Sequence, residues 1–286
     1  MRWRGERESS RVEDRRGMRP RGGVAIGGGG LLLIVLFALV TGTDPSALLD
    51  VANQVQVGTG GARTEPGPAG APADEGGRFA AVVLASTEDT WTPVFAARGT
   101  RYREPTLVLF SGAVDSACGT AQSAVGPFYC PADSQVYIDL EFFDELARRF
   151  GAPGDFAQAY VIAHEVGHHV QNLLGISSQV RDAQQRSSRE QANELSVRLE
   201  LQADCFAGVW GMRANQERDW LEPGDVEEGL AAAAAIGDDT LQRRSGGAVQ
   251  PESWTHGSSA MRGRWLRRGL ESGDVDACDT FSAGTL

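Results

Sequence analysis

The sequence predicts an α+β fold that is mostly helical, with a small β-sheet, preceded by one transmembrane helix. An uncharged apolar run near the N-terminus, two short segments rich in β-branched and aromatic residues, and long helical periodicity in the second half support it. The 286 residues are 41% hydrophobic and 23% charged, which is ordinary globular usage and excludes wholesale disorder. The net charge of −11 argues against nucleic acid as a partner, because phosphate binding requires a basic face.

The N-terminal part consists of a charged segment followed by an apolar one. Residues 1–23 hold eight arginines and four acidic residues without apolar periodicity, which predicts a basic cytoplasmic segment without fixed structure. Residues 24–42 are uncharged and just long enough for a transmembrane anchor, provided that glycines 27–30 lie within the helix. A cleaved signal peptide is the alternative, since the most apolar residues, 31–40, also suit its hydrophobic region. We favour the anchor because no small-x-small cleavage site follows soon after Val40.

Charges on either side of this span predict its orientation. Arginines precede it, and Asp44 and Asp50 follow it, which places the N-terminus in the cytoplasm by the positive-inside rule. The protein would then be single-pass in the cytoplasmic membrane, with the lipid bilayer around its N-terminal helix and an extracytoplasmic body. Residues 43–78 are rich in Gly, Ala and Pro and cannot bury a core, so they are predicted to be a flexible linker. Residues 79–286 are predicted to form one folded domain.

Within this domain, the pattern of residues predicts helices and strands in order. Residues 79–86 are apolar between polar neighbours and are expected to be a helix. Turn residues bound two predicted strands, at 106–110 and 135–140. Helical periodicity and plausible caps predict helices at 155–174, 190–212, 225–236 and 258–269. The strand at 135–140 is expected either at a sheet edge, where an extended peptide could pair with it, or within the core.

Three of the four histidines lie within six residues and form the pattern H-E-x-x-H. On a helix, His164 and His168 share one face and can direct two imidazoles at one metal ion. Glu165 is rotated away from that face, which suits a general base that takes a proton from a zinc-activated water. The pattern predicts one Zn²⁺ per chain, and the alternative is a helix with surface histidines. His169 lies about 100° from His168 and is expected to be a packing or surface residue.

A third ligand is expected from the next long helix. Glu200 and Asp204 are four residues apart among apolar neighbours, which indicates partial burial on one face. A buried pair of carboxylates is costly unless it meets a cation. We therefore predict that Glu200 is the third ligand and that Asp204 accepts the outward N–H of a ligand histidine. The alternative is that both are solvated carboxylates.

All four cysteines fall in the part of the chain that is predicted to be extracytoplasmic. An even number there predicts two disulfides. Cys118 and Cys130 bracket a short loop, so their pairing is the most economical of three connectivities, and it leaves Cys205 with Cys278. A structural zinc held by cysteines is the rival interpretation, but the sequence has no C-x-x-C.

H-E-x-x-H followed by E-x-x-x-D on a second helix resembles the gluzincin class of zinc metallopeptidases. The wider pattern resembles the bacterial neutral zinc metallopeptidase family of single-span membrane proteins. The matching stretches are residues 124–133, 136–146, 164–175, 192–210 and 256–281. The resemblance implies a zincin-like metallopeptidase domain over 79–286. It implies that His164, His168 and Glu200 hold Zn²⁺. It further implies that Glu165 is the catalytic acid and base.

The fourth histidine, His256, lies near the C-terminus just before a predicted helix. Peptide hydrolysis at zinc needs a donor for the developing oxyanion, and we predict a catalytic role of this kind for His256. Rival donors are Tyr137, Tyr160 and Arg262. The other interpretation of His256 is a loop histidine with a structural hydrogen bond.

The sequence as a whole predicts a membrane-anchored, extracytoplasmic zinc metalloendopeptidase that acts on a peptide or protein substrate. The alternative is a catalytically silent, zinc-stabilised scaffold on a membrane tether. Glu165 favours catalysis, because a purely structural site has no use for a base beside the metal. The sequence does not indicate an oligomeric state.

Overall fold

The computed structural model describes residues 1–17, 72–123 and 126–286. Its strands are β1 Val12–Asp14, β2 Thr106–Phe110, β3 Ala113–Ser116, β4 Gly119–Gln122, β5 Phe128–Cys130 and β6 Gln135–Asp139. Its helices are α1 Glu75–Ala97, α2 Glu141–Arg148, α3 Asp155–Leu173, α4 Ile176–Gln184, α5 Arg189–Arg218, α6 Asp225–Ala235, α7 Asp238–Arg244 and α8 Ser259–Ser272. The prediction of a mostly helical α+β fold is confirmed.

Four of the strands form one sheet in the order β1-β2-β6-β5, and β3 and β4 form a separate hairpin. Val12, Leu107 and Val136 stand side by side in neighbouring strands and face the main core. Val108 and Tyr137 point to the opposite side, into a smaller apolar cluster, as the two-residue period of a strand requires. Because β6 pairs with β2 and β5, the expectation of a free edge at 135–140 is wrong and the core-strand alternative is confirmed.

Residues 1–17 pack against the rest of the described chain. Val12 is fully buried in the sheet, and the ring of Trp3 meets that of Phe79 edge-on at 5.2 Å. The arginines of this segment are paired; Arg7, for example, donates to Glu88 at 2.9 Å. The prediction of a segment without fixed structure is therefore wrong for these residues. A three-residue strand is too short for apolar periodicity, and most partners of the arginines, such as Glu88 for Arg7, lie far along the chain.

The transmembrane part of the predicted fold class needs correction. Across residues 1–17, 72–123 and 126–286, no helix combines the length and the apolar character that crossing a bilayer requires. This finding overturns the preceding transmembrane helix and the single-pass location in the cytoplasmic membrane. The segment 24–42, which was predicted as the anchor, lies outside the described residues. In addition, residues 1–17 contact the domain directly, so the two do not lie on opposite sides of a membrane as predicted.

Two helix crossings position the predicted site residues, and both depend on small side chains. Where α3 meets α5, a Cβ atom on Gly167 would lie 3.0 Å from the carbonyl oxygen of Ala203. Where α5 meets α8, a Cβ atom on Gly269 would overlap the carbonyl of Cys205. Because the helices approach so closely at these points, polar side chains that lie one or two turns from a crossing can reach the neighbouring helix.

Both predicted disulfides are confirmed. Cys118–Cys130 joins the β3–β4 hairpin to β5 and spans 12 residues of sequence. Cys205–Cys278 joins the middle of α5 to the C-terminal segment and spans 73 residues. No cysteine in the part of the chain that the structure describes is left for a structural zinc site.

Candidate metal centre

Helix α3 carries the H-E-x-x-H pattern through the middle of the core. It ends before Gly175, whose φ of 76° is the left-handed conformation with which many helices stop. His164 and His168 lie one turn apart, with ring centroids separated by 4.8 Å. His164 is buried and His168 is partly buried.

Helix α5 begins with a capping box between Ser188 and Gln191 and supplies Glu200 about three turns after its first residue. The two carboxylate oxygens of Glu200 lie 3.2 Å from Nε2 of His164 and 3.4 Å from Nε2 of His168. One ligand atom from each of the three residues lies within 4.8 Å of the others. Two imidazole nitrogens and one carboxylate oxygen suit zinc, and a fourth position is left for water or substrate. The residues thus fit the expected ion.

Electrostatics agree with a cation site. Burial lowers the pKa of His168, but the carboxylate of Glu200 outweighs it and raises that pKa to about 9. Burial alone would raise the pKa of Glu200, whereas the two histidines hold it well below its usual range. A buried carboxylate that attracts positive charge onto two imidazoles is the environment in which a divalent cation is stabilised.

Asp204 lies behind His164, where the sequence placed it. Its carboxylate is fully buried and lies 2.8 Å from Nδ1 of His164. Arg262 donates to both carboxylate oxygens at 2.8 Å, and the hydroxyl of Tyr160 donates at 2.6 Å. Burial raises the pKa of Asp204, but Arg262 overrides this effect and brings it to about 2. Asp204 therefore stays ionised and accepts a hydrogen bond from Nδ1–H of His164. The other ring nitrogen, Nε2, faces Glu200.

Glu165 is nearly buried, with 8% of its surface exposed. Among the described residues it has no hydrogen-bond or ion-pair partner, although its charge acts on His168. Its oxygens are thus free to accept a proton close to the three predicted ligands.

His256 lies at the rim of the site, with about half of its side chain exposed. Asp238 holds the loop: one carboxylate oxygen accepts three backbone N–H groups, from Thr255, His256 and Gly257, at 2.7–2.9 Å. The other carboxylate oxygen is 3.2 Å from Nδ1 of His256, so the imidazole presents Nε2 outward. Partial burial lowers the pKa of His256, but Asp238 and Glu200 raise it above the ordinary value. Sequence reasoning missed Asp238, since no local pattern links it to a histidine so far along the chain.

The rival oxyanion donors are occupied elsewhere. Arg262 and Tyr160 are buried behind His164 and bind Asp204. The hydroxyl of Tyr137 is bonded to Asp133 at 2.8 Å, beside the smaller apolar cluster. Of the four side chains considered, only His256 is substantially exposed, and its charge acts on Glu200.

His169 has a packing role. It is 1% exposed, accepts from the hydroxyl of Tyr129 at 3.0 Å and donates to the carbonyl of Arg103 at 2.5 Å. Burial lowers the pKa of His169 to about 4, so it is neutral at ordinary pH. It points away from the three predicted ligands.

The fold and the site together define a mostly helical α+β protein that carries an H-E-x-x-H pattern and a candidate metal site whose donor set fits zinc. The chain belongs to the family described as "Putative neutral zinc metallopeptidase", which matches residues 1–281. It is 49% identical over 292 residues to "Uncharacterized protein YpfJ" of Escherichia coli (strain K12), covering 98% of this chain and 99% of that protein. It is 45% identical over 211 residues to "Uncharacterized protein Rv2575" of Mycobacterium tuberculosis (strain ATCC 25618 / H37Rv), covering 70% of this chain and 69% of that protein. No solved structure matches the chain significantly.

Proposed function

We propose that this protein is a zinc metalloendopeptidase that hydrolyses peptide bonds in a peptide or protein substrate. His164, His168 and Glu200 would hold the zinc ion. When bound, zinc supplies Lewis acidity, which makes a water molecule easier to deprotonate and polarises a carbonyl group. The family supports this proposal, and the arrangement of the three ligand atoms is compatible with it.

The unpaired carboxylate of Glu165 is the observation that carries the proposal. In our mechanism, Glu165 accepts a proton from the attacking water and delivers it to the amine that leaves. A stabilising scaffold would gain nothing from a carboxylate without a partner beside the three predicted ligands. The arrangement therefore favours an enzyme over a silent zinc-stabilised module.

His256 is the oxyanion donor of the proposed site. Asp238 holds the imidazole through Nδ1, so that in the protonated ring Nε2–H can donate a hydrogen bond to the oxyanion that develops on the substrate carbonyl. Because the pKa of His256 is raised, the donor form persists to higher pH than in a free histidine. In this proposal Asp238 acts through His256 and is a positioning residue.

The test is cleavage of unfolded casein by the purified full-length protein, with and without zinc, and with Glu165→Gln as the matched variant. Glu165→Gln is expected to keep its zinc and to lose at least about 100-fold in cleavage rate, since general base catalysis contributes that much or more. Zinc-loaded protein that cleaves nothing, or a Glu165→Gln variant as active as the parent, would favour the scaffold instead.

A further inference from the structure

The second histidine of the site has an outer partner that the sequence did not reveal. Gln171 lies one turn after His168 on α3 and is fully buried. Its side-chain oxygen Oε1 lies 2.9 Å from Nδ1 of His168. Its side-chain nitrogen Nε2 lies 2.7 Å from the carbonyl oxygen of Leu199 and 3.1 Å from Oε1 of Gln202.

These contacts determine the orientation of the Gln171 side-chain amide, that is, whether its oxygen or its nitrogen faces His168. Both neighbours of its nitrogen, the carbonyl of Leu199 and Oε1 of Gln202, are acceptors, because Gln202 uses its own nitrogen to donate to the carbonyl of Cys278 at 3.0 Å. The NH₂ group of Gln171 must therefore face them, and its oxygen must face the imidazole. An oxygen there can only accept, so Nδ1 of His168 carries a proton.

The proton on Nδ1 determines the state of the other ring nitrogen of His168, Nε2. When Nδ1 is the donor, the lone pair of the neutral imidazole is on Nε2, the nitrogen that faces Glu200 at 3.4 Å. Gln171 also bonds the backbone of Leu199, the residue just before Glu200. One buried amide thus orients the ring of His168 and ties its helix to the turn that carries Glu200.

We propose that Gln171 is the positioning residue of the metal site, which presents Nε2 of His168 and the carboxylate of Glu200 to the same ion. The inference rests on the zinc site of the proposed function. It assigns the two imidazoles different supports: His164 has a carboxylate backed by an arginine, and His168 has a neutral amide. Outer contacts of this kind commonly contribute 10- to 100-fold to metal affinity.

The chain offers a matched control, because Gln202 belongs to the same buried network and does not contact a histidine. We would compare Gln171→Met with Gln202→Met, since both replace a buried amide by an apolar chain of similar length. Zinc affinity would be measured by competition with a chelator at fixed pH, and folding by the midpoint of thermal unfolding. Gln171→Met is expected to bind zinc 10- to 100-fold more weakly, and Gln202→Met within about threefold of the parent, with similar losses in midpoint.

A conservative variant separates positioning from packing. Gln171→Glu keeps an oxygen towards His168 but loses both N–H bonds, so its zinc affinity is expected to fall less than that of Gln171→Met, while the unfolding midpoint falls. If Gln171→Met does not fold, Gln171→Ala is compared with Gln202→Ala instead, with the same expected difference in zinc affinity. Equal losses of zinc affinity in the matched variants of Gln171 and Gln202, or no loss in the apolar variant of Gln171, would overturn the proposal. A parent that binds zinc and cleaves nothing would refute the peptidase function alone.

Discussion

At the scale of single residues, the buried charge of Asp204 depends for its stability on the side chains around it. It has no exposed surface and accepts hydrogen bonds from three side chains, those of His164, Tyr160 and Arg262. Arg262 is itself 2% exposed. A buried ion pair is stable only while both charges are present, because either charge alone keeps its full desolvation penalty.

This dependence predicts a large effect of Arg262→Met. The variant leaves Asp204 buried without its counter-ion and is expected to lower the free energy of unfolding by about 3–5 kcal/mol. Urea denaturation measures it. The double variant Asp204→Asn with Arg262→Met removes both charges and should recover part of the loss. A loss below about 1 kcal/mol in the single variant would mean that the pair is not buried as described.

The stability of the metal-free protein should depend on pH because of His168. Its pKa is about 9 in the folded protein, against a reference value of 6.5. Because the folded state binds this proton more tightly, its contribution to stability is complete below pH 6.5 and is lost as pH rises towards 9. The chelator-treated protein should therefore show a falling unfolding midpoint across this range, whereas the zinc-loaded protein, in which the metal replaces the proton, should not. Parallel midpoints in both forms would contradict the assignment of His168.

The parts of the site that could be predicted from sequence are those set by helical spacing. His164 with His168, and Glu200 with Asp204, are four residues apart on their helices, and one face of each helix carries the pair. Gln171 and Asp238 were missed because their importance comes from contacts between elements that are distant in sequence. Arg262 was considered as an oxyanion donor, and its depth behind His164 could not be derived from the local pattern.

At the scale of elements, the contact between α5 and α8 depends on glycine. Gly208 and Gly269 allow the two backbones to approach so closely that a Cβ on either would overlap the other helix. Two turns before Gly269 lies Arg262, and one turn before Gly208 lies Asp204. The close approach therefore places the arginine against the carboxylate.

Gly269→Ala should separate these helices. We expect a loss of about 2 kcal/mol or more in the free energy of unfolding, because overpacking outweighs the gain in helix propensity. Weaker zinc binding should accompany it, since Asp204 moves with α5. The matched control is Gly263→Ala on the same helix, where a Cβ meets nothing within 4 Å. It should stabilise the protein by up to about 1 kcal/mol, and similar effects of the two changes on unfolding would refute the packing argument.

The long helices agree with their predicted positions within a few residues at most boundaries, because their apolar periodicity extends over several turns. The short strands β1, β3, β4 and β5 and the helices α2, α4 and α7 were missed, since so few residues carry little periodicity. Helix α1 is longer than its predicted 79–86 for a different reason. The polar residues that seemed to end it are buried, and Glu88 accepts from Ser9 at 2.5 Å, a partner no local pattern could indicate.

At the scale of the whole molecule, the two disulfides close loops of very different length. In the chain-entropy view, the loop of 73 residues contributes about 4 kcal/mol and the loop of 12 residues about 3 kcal/mol. Replacing Cys205 and Cys278 by alanine should therefore destabilise the protein more than replacing Cys118 and Cys130. Urea midpoints of the two double variants give the comparison, and the reverse order would show that native packing, rather than loop closure, dominates.

The ion pair between Arg16 and Asp74 has a consequence for how this chain can vary. The guanidinium of Arg16 holds both carboxylate oxygens of Asp74, at 3.1 and 2.5 Å, so positions 16 and 74 of the chain are held close together. Between two chain ends fixed in this way, a doubling of the connecting length costs only about 0.6 kcal/mol in closure entropy. We therefore expect changes in the length of the sequence between these two positions to alter stability little and to leave His164, His168 and Glu200 where they are.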